Sequence, residues 1–169
     1  MTETQQESIF QDWLRQHKGL LFKIIRAYAF EPYDRDDLFQ EIAVQVWRSV
    51  PKFRGESAVT TWLYRIALNT ALRWKSQERK HVDHAQPVPH SGLVLFEETN
   101  AQNERIEWLY KEISSLNEIE RSLCLLLLDE FSYKEMADIL GISESNVAVK
   151  IHRIKNHLTN KSKYFNYEI

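Results

Sequence analysis

Twenty-seven residues near the C-terminal end, Ser132 to Leu158, leave little freedom in local fold. Ser132 followed three positions later by Glu135 is a capping box, in which each side chain satisfies a free backbone N–H at a helix start. The helix it opens reads through Leu140, and Gly141 supplies the left-handed turn that ends it. Ser143 then caps a second helix predicted from Glu144 to Leu158. Ala137 is small where two helices must cross closely. Val147, Ile151, Ile154 and Leu158 fall on one stripe that holds the second helix to a core. The faces left free carry Ser145, Asn146, Val149, Lys150, His152, Arg153 and Lys155. From Val147 to Lys163 five bases meet no acid, a local charge of +5. A helix-turn-helix whose second helix offers polar residues first and cations after has the geometry of major-groove reading. A purely structural helical hairpin shares the pattern, but the consecutive caps, the Ala–Gly–Val spacing and the basic tail together favour duplex binding.

A second informative stretch runs from Lys52 to Lys80. Pro51 closes the helix before it, and Phe53-Arg54-Gly55-Glu56-Ser57 reads as a short loop. A long helix follows, with Val59, Trp62, Leu63, Ile66, Thr70 and Trp74 on one apolar face. The opposite face carries Thr61, Arg65, Leu68, Asn69, Leu72, Arg73 and Ser76. Between Trp62 and Lys80 five Lys/Arg oppose the single acid Glu78, giving +4. Taken alone, this is an ordinary core helix with a solvated basic face. Interleaved amide, apolar and guanidinium groups on such a face also suit unstacked bases and phosphates.

The rest of the chain reads as helix too. Ser8 to Ala29 forms one predicted helix with a stripe through Phe10, Trp13, Leu14, His17, Leu21, Ile24, Ile25 and Tyr28. Glu31-Pro32-Tyr33 breaks it, and Asp34 is the expected N-cap of the next, which runs to Val50 and buries Leu38, Phe39, Ile42, Val46 and Trp47. From Glu31 to Glu41 five acids face only Arg35, a local charge of −4. Helical periodicity returns near Gln102 with Ile106, Leu109, Ile113 and Leu116. Asn117 and Glu120 resemble another capping box before an apolar helix through Leu128. Four Gly and four Pro in 169 residues are too few for a turn-rich β protein. The expected fold is all-α: two small helical domains, residues 1–80 and 102–169, joined by an extended linker over 81–101.

Several function classes are excluded at this level. The lone Cys124 lies in an apolar run and reads as a buried hydrophobe, and one cysteine makes no internal disulfide, as expected in a reducing cytoplasm. No signal peptide and no run of about 20 apolar residues is present, so a soluble cytoplasmic protein without direct membrane insertion is expected. His81, His84 and His90 in the linker lack the paired ligands on ordered elements that zinc requires, so no metal and no cofactor is expected. The acids from Asp34 to Glu41 are accounted for by helix capping and solvation, so no catalytic residue is assigned and no enzymatic activity is expected.

Two DNA-facing units joined by a linker require a joint explanation. Asp37-Leu38-Phe39-Gln40-Glu41 with Trp47 six residues on, then Phe53-Arg54-Gly55-Glu56-Ser57 and Thr61-Trp62-Leu63-Tyr64-Arg65-Ile66-Ala67, resemble region 2 of bacterial sigma factors. Leu116 through Ser132-Tyr133 to Leu158 resembles their region 4. The order and spacing are most similar to the small extracytoplasmic-function (ECF) group of the sigma-70 family. The resemblance implies a bacterial transcription-initiation factor that binds core RNA polymerase and directs it to promoters. By it, Asp37, Gln40, Glu41, Val44 and Arg48 would dock on the polymerase. Arg54, Gly55, Glu56, Ser57, Arg65, Asn69, Arg73 and Ser76 would capture the unpaired −10 strand and hold a flipped base. Ser145, Asn146, Ala148, Val149, Lys150, His152 and Arg153 would read the −35 duplex, while the linker threads towards the polymerase's active-site and RNA-exit channels. An anti-sigma factor is a further implied partner. The chain departs from the family pattern at Ala43, where Phe is common, at Ala148, where Lys is frequent, and at Val149, where a small polar residue is frequent.

Extruding a base costs a few kcal/mol, and stacking returns about 1–3 kcal/mol per base, so a chain of this size needs the polymerase to open DNA. The alternative is a conventional helix-turn-helix regulator that binds duplex operators without polymerase, its N-terminal helices serving as sensor or dimerisation unit. Such a regulator has no use for the loop Arg54–Ser57.

Overall fold

The computed structural model describes residues 1–81 and 104–165. These residues fold into eight α-helices, without a strand among the described residues, in two compact units divided between Gln102 and Asn103. The expected linker beyond His81, and with it His84 and His90, lies outside the described residues.

The N-terminal unit contains α1 (Glu3–Gln16), α2 (Lys18–Tyr28), α3 (Pro32–Ser49), a short 3-10 turn at Val50–Lys52, and α4 (Val59–His81). The single helix expected over Ser8 to Ala29 is two helices. Thr2 and Gln5 form a capping box that starts α1 earlier than Ser8. His17, at φ −112° and ψ 20°, then leaves helical geometry, although its N–H still donates to Trp13 O at 3.0 Å. Lys18-Gly19 follows directly, and glycine is among the weakest helix formers. The cap of α3 is Glu31, not Asp34. Pro32 occupies the first helical turn and forces the residue before it into extended backbone, which is the cap conformation seen at Glu31. Asp34 lies inside the first turn, where burial, with Glu78 adding to it, raises its carboxyl above the ordinary carboxylate range. Arg35 closes the α2–α3 corner by donating from Nε to Ala29 O at 3.1 Å and from Nη2 to Phe30 O at 3.2 Å.

The core of this unit is α4 packed against α2 and α3. Leu38, Ile42 and Val46 recur every four residues along α3 and are fully buried, as are Leu21, Ile24, Ile25 and Tyr28 of α2. On α4 burial extends past the expected face: Leu63, Tyr64, Ala67, Leu68 and Ala71 are all buried. Leu68 therefore belongs to the core and not to the polar face. A fully buried aliphatic side chain contributes about 1.5–3 kcal/mol, against about 0–1 kcal/mol for a surface ion pair. The apolar residues of α4 thus set its orientation; Lys75–Glu78 is a pair within the helix itself. Phe39 and Trp47, expected in the core, are only half-buried.

The C-terminal unit contains α5 (Glu104–Ser115), α6 (Glu118–Leu128), α7 (Tyr133–Leu140) and α8 (Glu144–Phe165). Helix α6 is its centre, buried from Arg121 to Leu126. It packs on α5, α7 and α8. Burial pushes the Cys124 thiol up to about 11, consistent with an inert core residue. The buried Arg121 donates from Nη2 to Ser114 O at 2.8 Å and Leu116 O at 3.1 Å, capping the carbonyl end of α5. Ile113 and Leu116 anchor α5, whereas Ile106 is 44% exposed and outside the stripe expected of it. Asn117 caps α6 through Glu120 N–H at 2.9 Å, only that half of the expected box being formed, whereas Ser132 and Glu135 form the expected reciprocal box. Val147, Ile151 and Ile154 hold α8 to the core. The helix continues seven residues past the expected Leu158, to Phe165.

Two helix ends in this unit use the same geometry with different residues. After α7, Gly141 at φ 68° lets both its own N–H and that of Ile142 donate to Ala137 O. After α6, Glu130 takes φ 62° so that its N–H reaches Leu127 O and Phe131 N–H reaches Leu126 O, a Schellman ending without glycine. A Cβ built on Gly141 would meet nothing within 4 Å, so only its backbone conformation penalises a side chain there. Left-handed backbone costs an L-residue about 1–2 kcal/mol. Gly141→Ala should therefore lower stability by about 1 kcal/mol and Glu130→Gly should raise it by a similar amount. Urea unfolding of both variants checks this; a shift of the same sign in both would show that the backbone term does not govern these turns.

Candidate nucleic-acid interface

The loop between α3 and α4 and the first turns of α4 enclose a recess of about 470 Å³ lined by Lys52, Phe53, Arg54, Glu56, Ser57, Trp62 and Arg65. Backbone hydrogen bonds anchor the loop at its two ends, from Phe53 N–H to Val50 O at 3.3 Å and from Trp62 N–H to Ala58 O at 3.1 Å. Gly55 turns it at φ 73°, a conformation other residues rarely adopt. The lining combines two aromatic rings, three cations and one carboxylate. Arg65 Nε is buried and makes no hydrogen bond among the described residues. A buried donor without a partner is costly. The recess suits a planar, hydrogen-bonding group with phosphate nearby.

Asn69, Arg73 and Ser76 continue from Arg65 at steps of four, four and three residues along α4, and all three are exposed. Arg73 Nε donates to Asn69 O at 3.3 Å, which lays its guanidinium back along the helix. The structure thus brings the expected loop and helix residues into one continuous surface. Lys52, Phe53 and Trp62 belong to it as well and were missed as site residues. Trp62 read as core by periodicity; the aromatic next to Arg54-Gly55 was the available signal for Phe53. A smaller recess of about 150 Å³ lies between α3 and α4, lined by Glu41, Gln45, Thr70, Arg73, Trp74 and Gln77.

On α3 the residues Asp37, Gln40, Glu41, Val44 and Arg48 are all exposed, turned out by burial of the Leu38–Ile42–Val46 stripe. Val44 is 44% exposed, an apolar centre among polar neighbours. Asp37 Oδ2 accepts a hydrogen bond from Trp74 Nε1 at 2.7 Å, fixing this face of α3 to α4. Beside it Lys75 pairs with Glu78 at 2.8 Å and lies 5.0 Å from the Phe30 ring centroid.

In the C-terminal unit, Ser143 Oγ accepts the Asn146 N–H at 3.2 Å and sits 3.1 Å from Ser145 Oγ, so the start of α8 is capped and its first polar side chains are ordered. Ser145, Asn146, Val149, His152 and Arg153 are exposed, while Ala148 and Lys150 are half-buried. Val149, 52% exposed, is the apolar centre of this face. His152 Nε2 lies 3.1 Å from Asn156 Nδ2, one turn on. Helix α8 thus presents a polar start, a branched apolar side chain and then cations, the arrangement of a recognition helix.

Both units match known family models: residues 13–81 match sigma-70 region 2 and residues 106–158 match sigma-70 region 4. The chain belongs to the sigma-70 family of RNA polymerase sigma factors. It is 33% identical over 140 residues to the ECF RNA polymerase sigma-E factor of Escherichia coli (strain K12), spanning 76% of this chain and 73% of that relative. It is 28% identical over 158 residues to the RNA polymerase sigma factor YlaC of Bacillus subtilis (strain 168), spanning 90% and 88%. Within the family it is thus an ECF sigma factor, directing RNA polymerase to initiate transcription at promoters. The fold is similar to that of CnrH, solved in complex with the cytosolic domain of CnrY (TM-score 0.63, 19% identity, 96% of this chain and 91% of that one). It is also similar to that of the sigma factor RpoE of Bartonella quintana, solved with the anti-sigma factor NepR (TM-score 0.66, 20% identity, 91% and 96%). A conventional helix-turn-helix regulator, the alternative, does not account for the region 2 match over residues 13–81. Among the described residues no helix is long and apolar enough to cross a membrane.

Proposed function

We propose that the two units divide promoter recognition between unpaired and paired DNA. Residues 1–80 form the polymerase-docking and −10 unit, 81–101 a linker and 102–169 the −35 unit. In the first unit Asp37, Gln40, Glu41, Val44 and Arg48 dock on core polymerase. Arg54, Gly55, Glu56, Ser57, Arg65, Asn69, Arg73 and Ser76 hold the −10 strand, with one base in the loop recess. In the second unit Ser145, Asn146, Ala148, Val149, Lys150, His152 and Arg153 lie in the −35 major groove. The observation carrying this reading is the recess itself: aromatic faces for a base and cations for phosphates. The chain contributes recognition and the polymerase performs the synthesis, so the factor has no enzymatic activity of its own and acts in the cytoplasm, where the polymerase is. The complexes of CnrH with CnrY and of RpoE with NepR support an anti-sigma factor as a further partner.

Reconstitution with core polymerase and genomic DNA, with transcript starts mapped, tests the reading as a whole. Replacing Gln40 and Glu41 by Ala together should weaken binding to core polymerase about fivefold or more with the fold intact; an unchanged affinity removes this face from the dock. Asn69→Ala should weaken capture of a single-stranded −10 oligonucleotide by the holoenzyme about two- to tenfold, the size of one lost hydrogen bond, while −35 duplex binding is kept. Lys150→Ala and Arg153→Ala should each make the dependence of log K on log salt less steep by roughly one counterion. An unaltered slope means that the side chain does not reach a phosphate.

A further inference from the structure

Behind the aromatic side of the recess packs a helix that the region 2 match largely leaves out. That match begins at residue 13, whereas α1 spans Glu3–Gln16. Three contacts tie α1 to the end of α3 and to the loop. Gln6 Nε2 donates to Trp47 O at 2.9 Å, in the last turn of α3. The Phe10 ring meets Trp47 edge-on, with centroids 5.4 Å apart and planes at 89°. Trp13 meets Phe53 in the same way, at 5.2 Å and 88°. Phe53 in turn packs on Trp62, 5.5 Å away at 57°. The indole of Trp62 donates to Ser49 Oγ at 3.1 Å, and Ser49 Oγ–H donates to Val46 O at 2.7 Å.

The rings therefore run from α1 through the loop to α4, and Phe53 is the link shared between the brace and the recess. Phe53 and Trp62 line the cavity directly; Trp13 and Phe10 stand behind them and do not. Edge-to-face pairs fix ring orientation as well as burying area, because the ring quadrupole disfavours other approaches. Phe53 is also the residue whose N–H anchors the start of the loop, so the ring contacts and the backbone bond fix the same end of it.

We propose that α1 is a brace that sets the shape of the −10 strand recess, with Trp13 and Phe10 as positioning residues that act through Phe53 and Trp47. The proposal rests on the strand-capture reading above. It assigns a role in promoter opening to an N-terminal segment that touches no DNA in that reading.

The test uses the full chain assembled with core polymerase and three affinities measured side by side: for polymerase, for −35 duplex, and for a fluorescein-labelled single strand carrying the −10 sequence of a promoter mapped for this factor. Trp13→Leu fills much of the volume but removes the edge-to-face pair. It should weaken strand capture about three- to tenfold, and Trp13→Phe, which keeps a ring, should restore it to within about twofold of the parent. Polymerase and −35 affinities should not change. Strand capture by Trp13→Leu equal to that of the parent overturns the brace, and so does a parallel loss in all three affinities. Should thermal unfolding show that Trp13→Leu does not fold, Phe10→Leu, at a half-buried position, decides by the same criteria. Arg65→Gln separates the two layers of inference. If it leaves strand capture intact, the recess is not the strand site and the underlying reading fails; if it weakens capture while the brace variants do not, only the brace fails.

Discussion

Helix α4 is enclosed by α2 and α3, and what those two helices leave uncovered is the surface that can meet DNA. Leu63, Tyr64, Ala67, Leu68 and Ala71 are buried on it, with Thr70 and Trp74 nearly so. Such a helix cannot rotate: turning it by one residue, about 100°, would bring a guanidinium or an amide into the core at a cost of several kcal/mol. Arg65, Asn69, Arg73 and Ser76 are therefore held in fixed register by residues that never touch a ligand. The same burial places Trp62 at the lip of the loop and Trp74 within reach of Asp37, so the recess and the exposed face of α3 derive from one packing constraint.

Local signals were legible in the sequence, and tertiary ones were legible only in part. The Ser132–Glu135 box, the Asn117 cap, the Ser143 cap and the turn at Gly141 each depend on a few neighbouring residues, and all are present in the fold. The cap of α3 was misplaced because the restriction that Pro32 imposes on Glu31 outweighs the preference for Asp at a cap. The break at His17 has no proline to announce it. The left-handed Glu130 was invisible for the opposite reason, since a glycine is the usual mark of such a turn. For α4 a one-face stripe was the wrong template. A helix between two others buries more than half its circumference, and Leu68 was assigned by spacing to a face that the fold encloses. The site shows the same division. Residues on regular helices, such as Asn69, Arg73 and Asn146, could be placed on their faces by counting, whereas the aromatic lining of the recess arises where α1, the loop and α4 meet.

Charge is distributed in a way the net value of −2 conceals. The acids cluster in the first half of α3, and burial, with Glu78 adding to it, raises the Asp34 carboxyl above the ordinary carboxylate range. Bases dominate the exposed part of α8 and the loop recess. At physiological salt the screening length is about 8 Å, so each patch acts on what touches it and little beyond. The two signs therefore do not cancel. One chain thus carries a basic surface and an acidic, partly apolar one, the two that the proposed function assigns to DNA and to polymerase.

That separation has an energetic consequence for when DNA can be engaged. A recess for one base returns about 1–3 kcal/mol by stacking, while extruding a paired base costs a few kcal/mol and nucleating an open segment costs the stacking of its neighbours as well. One added hydrogen bond contributes only about 0.5–1.5 kcal/mol more. Binding by the isolated chain therefore comes out near zero or unfavourable on closed DNA. The balance changes once a partner supplies the remaining favourable contacts and the chain is held at the DNA by a second site, because capture is then an intramolecular step at high effective concentration. On the strand-capture reading proposed above, a recess too weak to open a duplex unaided makes opening conditional on assembly, and bracing the loop would keep the small favourable term from being lost to loop ordering.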